Sequence, residues 1–256
     1  MSIIEIKNVY KNFGTKKVLR GTTLDILRGE TITIIGGSGS GKSVLLKCIL
    51  KLLPPDSGEI YIDNDNIVNA KGTKLENIRK KFGVLFQGAA LFDSLTVGEN
   101  VGFALSRYTN LSQTQIKRRV VERLEMVGLK DVAHLKPAEL SGGMQKRVGL
   151  ARAIAMDPEI IFYDEPTTGL DPITSDVINN LVLHLQQVLT VTSVVVTHDM
   201  KSAYTISNRI AMLYKGKIIE VGTVPQIKKT NNVLVKQFID GKADPKVIEV
   251  IHKGFK

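Results

Sequence analysis

Gly36-Gly-Ser-Gly-Ser-Gly-Lys-Ser43 is the stretch on which the reading of this chain turns. It fits the template of Gly, four residues, then Gly-Lys-Ser or Gly-Lys-Thr. Thr31-Ile-Thr-Ile-Ile35 before it reads as a buried strand. Ser43-Val-Leu-Leu-Lys-Cys-Ile-Leu-Lys-Leu-Leu53 after it reads as a helix stopped by Pro54 and Pro55. Strand, glycine-rich loop and helix are the context that the motif needs. Gly36, Gly37, Gly39 and Gly41, spaced by Ser38 and Ser40, let successive backbone N–H groups turn into one concavity and cradle phosphate oxygens. The helix start adds a fixed positive dipole. Lys42 is then placed to reach the outer phosphates and the Ser43 hydroxyl to take a Mg²⁺ position. The bland alternative, a Gly/Ser turn with a chance lysine, leaves those flanks unexplained. Taken alone, the loop implies a nucleoside triphosphate and no more.

The chain has 256 residues, enough for a sizeable core in one large domain or two small ones. Hydrophobic residues make up 43% and charged residues 23%, ordinary values for a folded protein in water. The net charge of +10 admits an acidic partner such as nucleic acid, anionic lipid or nucleotide. No block of like charges exceeds a few residues, so most of that charge reads as solvated surface. Cys48 is the only cysteine, sits in an apolar pattern and suits a reducing compartment. The first residues lack a basic-then-apolar leader, and no run is long enough for a membrane span. Any membrane role is therefore expected to come through another chain.

Residues 2–30 alternate as strands around a turn at 14–17. Phe13, just before that turn, is open to two readings: a strand core residue, or a ring that stacks on a base. A short strand is expected at Glu59–Asp63 and a polar loop over Asn64–Gly72. Phe82–Phe86 reads as a strand ending at Gln87. Helices are expected over Thr96–Ser106 and Ser112–Val127, with Ser112 as N-cap, and again from Leu140-Ser-Gly-Gly-Met144. Ile160–Tyr163 is a strand, Pro172–Leu189 a helix, Ser193–Thr197 a strand, and Arg209–Gly222 a hairpin turning at Lys215-Gly216. The chain from Val224 on reads as helical. Strands alternating with helices imply an α/β fold, a parallel sheet with helices on both faces.

Three further features fall on strand ends. Asp164 and Glu165 close a buried strand, at the sheet edge where ligands bind in doubly wound folds. The first carboxylate can hold Mg²⁺ and the second can poise an attacking water. His198 ends another apolar strand and is read as a γ-phosphate contact. Gln87 ends a fourth and could orient water or Mg²⁺, though alone it is an even choice. Ser141, Gly142 and Gly143 repeat the phosphate-binding logic at a helix start without a lysine. A second anion site makes sense if it faces a phosphate held by a second copy, which implies a symmetric dimer with two shared sites.

As an ordered set, Gly36–Ser43, Gln87, Leu140–Met144, Ile160–Glu165, Gly169-Leu-Asp171 and His198 resemble the ATP-binding subunit of an ABC transporter. The resemblance spans about residues 2–225. It implies a P-loop NTPase fold with a RecA-like core, an antiparallel β subdomain, and an inserted helical subdomain at about 88–157. It also implies ATP and Mg²⁺ as ligands. Phe13 matches the aromatic that stacks on adenine, and Asp171 the aspartate that links the two sites across the dimer. Gln87-Gly-Ala-Ala-Leu-Phe-Asp-Ser-Leu-Thr-Val97 and Phe238-Ile-Asp-Gly-Lys-Ala-Asp244 are similar to the Mla and mammalian-cell-entry type ATPases, which move phospholipids or other lipids. Tyr163 stands where many members have an aliphatic residue.

The expected division is an ATP-binding domain over 1–240 and an interaction tail over 241–256. The expected activity is ATP hydrolysis that drives a membrane transporter, with lipid as cargo. The alternatives are an importer of another solute, such as an amino acid, or a soluble ATPase acting on nucleic acid. A GTPase or small kinase leaves Leu140–Met144 unexplained. The expected partners are a second copy and a membrane permease, then a lipid-binding periplasmic subunit and a small accessory subunit; no nucleic acid is expected. The expected location is cytoplasmic, peripheral on the inner face of the cell membrane. Leu91, Phe92, Leu95 and Val97 could dock a permease helix or pack their own subdomain. A helix starting at Asp244-Pro245 could fold back or bind a partner.

Overall fold

The computed structural model describes residues 1–242; the tail helix expected at Asp244-Pro245 lies outside the described residues. β1 (Ser2–Phe13) and β2 (Lys16–Leu27) form a long hairpin turning at Gly14-Thr15. β3 (Thr31–Ile35) leads through the glycine-rich loop into α1 (Lys42–Ile49). β4 (Ser57–Ile62), β5 (Asp65–Asn66), α2 (Gly72–Lys80) and β6 (Phe82–Leu85) follow, then α3 (Val97–Tyr108), α4 (Gln113–Met126) and α5 (Gly142–Ala153). The chain returns through β7 (Ile160–Asp164), α6 (Pro172–Leu189), β8 (Thr192–Thr197) and α7 (Met200–Ile206). It continues through β9 (Arg209–Tyr214), β10 (Lys217–Thr223), α8 (Val224–Lys228) and α9 (Val233–Ile239).

The strands make two sheets, a four-stranded one ordered β2-β1-β4-β5 and a six-stranded one ordered β10-β9-β3-β8-β7-β6. The first is antiparallel. In the second, β9, β3, β8, β7 and β6 run parallel, and β10 is antiparallel to β9. β3, β7 and β8 are buried at every position, as central parallel strands covered on both faces must be. Because side chains alternate, each of these strands feeds two cores. Ile32, Ile34, Ile160, Phe162, Val194 and Val196 pack with α1 and the antiparallel sheet. Ile161, Tyr163 and Val195 pack on the other face with the helices of residues 97–189. Thr22 Oγ1 and Arg20 N both donate to Gly216 O, at 2.8 and 2.9 Å, which seats the β9–β10 turn on β2 and joins the sheets.

Several boundaries differ from the expectation. The helix after the glycine-rich loop ends at Ile49, not Leu53. Lys51 takes a left-handed φ of 49°, and the N–H groups of Leu52 and Leu53 both fold back to Lys47 O. Asn64–Gly72 is not all loop. Asp63 and Asn64 both have positive φ, the two-residue turn that matches strand twist, so β5 pairs back on β4 and Ile67 is buried. α2 was not anticipated; it is mostly exposed and buries only Ile78. The helical run after Val224 is two short helices. The second is capped by Asn232, whose side chain accepts from Leu234 N. Ser112 caps α4 as expected, in a reciprocal capping box with Gln115.

Candidate active site

Strand register builds the site. Ile35 of β3 lies level with Thr197 of β8, Asp164 of β7 with Val196 of β8, and Leu85 of β6 with Tyr163 of β7. The residues just past these strands therefore share one sheet edge: Gly36, His198, Glu165, and Phe86 followed by Gln87. Glycine is obligatory at position 36, because a Cβ there would sit 2.3 Å from Leu213 O.

Lys42 is 8% exposed. Its ammonium donates to Gly36 O at 2.7 Å and Gly37 O at 3.3 Å, and lies 4.0 Å from Glu165 Oε1. Burial lowers its pKa, against the opposing charges of Glu165 and Asp164. Ser43 Oγ donates to Asp164 Oδ1 at 3.3 Å, which brings the glycine-rich loop and β7 together. Burial raises the Asp164 pKa, and neighbouring Glu165 adds to the rise; the Ser43 hydrogen bond and nearby lysines oppose it.

Glu165 is 8% exposed and has a φ of 50°, left-handed for a non-glycine residue. Such strain costs about 1–3 kcal/mol and persists only where the surroundings over-determine it. Its N–H donates to Val196 O at 2.8 Å. Its Oε2 accepts from Thr168 Oγ1 at 3.1 Å and Thr197 Oγ1 at 3.2 Å. His198 Nδ1 lies 2.9 Å from the same oxygen, a bond the Nδ1-protonated tautomer donates. A second polar chain continues behind it. Asp199 N donates to Thr197 Oγ1, Ser202 Oγ to Asp199 Oδ2, and Asn179 Nδ2 to Ser202 Oγ.

Phe13 is half exposed, which removes the strand-core reading. With Lys16, Val18 and Gly39–Val44 it lines a cavity of about 370 Å³ against the glycine-rich loop. Ser38, at the tip of that loop, is exposed. None of Ser141, Gly142 and Gly143 lines that cavity. Instead Ser141 caps α5, its Oγ accepting from Met144 N at 3.3 Å. Gly143 abuts Thr174 of α6; a Cβ would sit 2.6 Å from Thr174 Cγ2. Asp171 caps α6, accepting from Ile173 N and Thr174 N at 2.9 and 3.0 Å. Sequence reasoning missed Lys146 and Arg152. Lys146 donates to Gln87 O and, at 3.4 Å, to Glu165 O. Arg152 donates to Ala89 O at 2.6 Å and Ala90 O at 2.7 Å. The available signal was a lysine one helical turn from Leu150, on the buried face of α5. Cys48 is buried and its thiol is pushed up to about 11, which makes it inert.

The family described as ABC transporter matches residues 19–168. The intermembrane phospholipid transport system ATP-binding protein MlaF of Haemophilus influenzae is 39% identical over 243 residues, 95% of this chain and 92% of that protein. The probable ribonucleotide transport ATP-binding protein mkl of Mycobacterium leprae is 38% identical over 239 residues, 93% of this chain and 69% of that protein. Among solved structures, a dimeric ATP-binding cassette in a post-hydrolysis state, bound to ADP and Pi, aligns with a TM-score of 0.79 at 38% identity. The alignment covers 86% of this chain and 98% of that one. With the glycine-rich loop, the paired carboxylates and the histidine on one sheet edge, this chain belongs to the ABC transporter family and is an ATP-hydrolysing cassette.

Proposed function

We propose that this chain powers the movement of phospholipid, or another lipid, between membranes. It works as a homodimer bound by a permease at the cytoplasmic face of the inner membrane. The observation that carries the cargo is the 39% identity to a phospholipid-transport ATPase over 95% of the chain. No helix among the described residues is long and apolar enough to cross a membrane, so contact with the bilayer runs through the permease. A lipid-binding periplasmic subunit and a small accessory subunit complete the assembly. Residues 1–240 form the ATP-binding unit, with the helical subdomain at about 88–157 and the interaction tail at 241–256.

The geometry supports the following assignment of roles. Lys42 exchanges its loop carbonyls for the outer phosphates, which the N–H groups of Gly36–Gly41 cradle, while Phe13 stacks on adenine. Ser43 and Asp164, whose side-chain oxygens lie 3.3 Å apart, would hold Mg²⁺ together with Gln87; hydroxyl, carboxylate and amide oxygens suit that ion. Mg²⁺, when bound, supplies charge neutralisation at the phosphate oxygens. No cluster of three or more His, Cys, Asp or Glu side chains that could hold a metal occurs among the described residues. That suits an ion held largely by phosphate and water. Glu165 orients and deprotonates the attacking water, Gln87 helps to place it, and His198 contacts the γ-phosphate. Ser141, Gly142 and Gly143 of one copy face the nucleotide of the other, and Asp171 links the two sites.

Asp93 and Ser94 are exposed beside Phe92, whose ring packs on exposed Phe103 with centroids 4.9 Å apart. A groove of about 720 Å³ between α3 and α4 adjoins them and is apolar along Leu95, Phe103, Ile116, Val120 and Val121. We place the permease helix there. Val97 is fully buried and belongs to the subdomain's own core.

The test is the ATPase rate of the chain assembled with its membrane subunit in nanodiscs. Stimulation by phospholipid and not by ribonucleotides or amino acids is the expected result. Stimulation by ribonucleotides alone overturns the cargo assignment and favours a function like that printed for the mycobacterial relative.

A further inference from the structure

We propose that Lys146 is a positioning residue for hydrolysis: its buried ammonium locks α5 to the main chain of both Gln87 and Glu165. The inference rests on the reading of Glu165 as the group that poises water. Lys146 is 5% exposed. Among the described residues it forms no ion pair; its contacts are the carbonyl oxygens of Gln87 and Glu165. An ammonium removed from water is costly unless its donors are met, so a lysine kept there needs those carbonyls in place. Burial lowers its pKa, while the nearby Asp164 and Glu165 charges favour the protonated form.

The grip is not confined to one residue. Six residues further along α5, Arg152 donates to the carbonyls of Ala89 and Ala90. Ala89 and Ala90 have φ values of 58° and 49°, left-handed for residues with a Cβ. Two strained residues in succession are held only by what surrounds them, and here that includes a cation of α5. On the other side, the Glu165 main chain takes its position from three bonds. Its N–H is fixed to Val196 O, and its carbonyl accepts from Thr168 N at 3.3 Å and from Lys146. Through Lys146 the Glu165 main chain is hydrogen-bonded directly to α5. Lys146 lies three residues past Gly143, at the same helix start expected to face the second copy's phosphate. Movement of α5 therefore either carries the Gln87 and Glu165 main chain with it or breaks the ammonium contacts. That ties the arrival of the second copy to the placement of the water-poising carboxylate.

The experiment uses the full chain and the substitutions Lys146→Met, Lys146→Gln and Lys146→Arg. The measurements are kcat, KM, ATP affinity by a fluorescent analogue, and melting temperature. Displacing a catalytic group by about 1 Å costs on the order of 10²-fold. The expected result is a kcat lowered roughly 10–10²-fold in Lys146→Met and Lys146→Gln, with KM and ATP affinity within about threefold. Lys146→Arg, which keeps the charge, restores most of kcat. A kcat within twofold of the parent in Lys146→Gln overturns the inference. So does a loss of kcat matched by lost affinity and not rescued by Lys146→Arg, which marks a structural lysine only. Glu165→Gln in the same assay separates the two readings. Normal turnover there removes the role of Glu165; a dead Glu165→Gln beside a normal Lys146→Gln removes only the role of Lys146.

Discussion

Glu165→Gln separates binding from chemistry. The amide keeps the side chain's shape and one accepting oxygen. It cannot take a proton from water, and its nitrogen cannot accept from Thr168, Thr197 or His198, which lie at 3.1, 3.2 and 2.9 Å. A positioned general base contributes roughly 10²–10⁴-fold, or about 3–5 kcal/mol at ~1.36 kcal/mol per decade. Binding should move the other way. The carboxylate lies 4.0 Å from the Lys42 ammonium, an attraction of about 4 kcal/mol at an effective dielectric near 20. That attraction competes with an incoming phosphate, so ATP affinity should hold or rise. The assay is single-turnover hydrolysis of γ-labelled ATP, with gel filtration to show an ATP-bound dimer. Hydrolysis within tenfold of the parent refutes the base assignment. An affinity loss above tenfold refutes the competition argument, because it makes Glu165 part of the binding surface.

Lys42→Ala should abolish measurable ATP affinity in a titration; mixed with Ser141→Arg chains it should recover binding at half the sites if the sites are shared, and two equally damaged sites would contradict sharing. Asp164→Asn tests stability against pH. The Asp164 pKa is raised in the folded chain, so the folded state holds its proton above the ordinary carboxylate range and stability falls as pH rises through that window. The variant, free of Mg²⁺ and nucleotide, should therefore melt at least as high as the parent at neutral pH and lose less between acid and neutral pH; a steeper loss would reverse the sign. Asn100→Ala removes a fully buried amide whose Oδ1 accepts from Phe92 N at 2.8 Å and whose Nδ2 donates to Phe92 O and Thr96 O at 3.1 and 2.9 Å. At about 1 kcal/mol net per bond the loss is ~3 kcal/mol, or roughly 6–12 °C in melting temperature, with weaker docking of the permease.

The fold was legible where one residue type forces one backbone. Gly36–Ser43 between a strand and a helix, the apolar runs Ile160–Phe162 and Val194–Val196, and Ser112 as a cap left little choice. The sheet-edge gathering of Gly36, Gln87, Glu165 and His198 followed from strand ends alone, because parallel strands in register must end together. What was not legible depended on tertiary contact. α2 has little apolar face and forms against the sheet rather than by its own pattern. The two-residue β5 exists because Asp63 and Asn64 turn left-handed, a choice open to many loop residues. Lys146 and Arg152 read as ordinary helix cations; only the fold shows that their partners are main-chain carbonyls, those of Gln87, Ala89 and Ala90 about 60 positions earlier and, for Lys146, that of Glu165 as well. That Phe13 lies outside the core shows only in its exposure.

The described chain also suggests why the site should need both nucleotide and a second copy. Four of the side chains expected to meet them are engaged with a near neighbour. Lys42 is bound to its own loop, Ser43 to Asp164, Ser141 to its own helix, and Asp171 to the first turn of α6. These bonds avoid the penalty of buried unpaired polar groups, so the unliganded chain can fold without ATP. Ligand binding is then an exchange of partners, and its net gain is small for each group. The start of α5 also offers main-chain donors. Ser141 Oγ meets the N–H of Met144, while the first N–H groups of a helix have no partner inside it, which leaves those of Gly142 and Gly143 as donors. With no side chain on either glycine, a phosphate can approach that end closely. The free donors and the buried Lys146 lie on the same turn of one helix, so a phosphate held by a second copy would act at one end and the Glu165 main chain at the other.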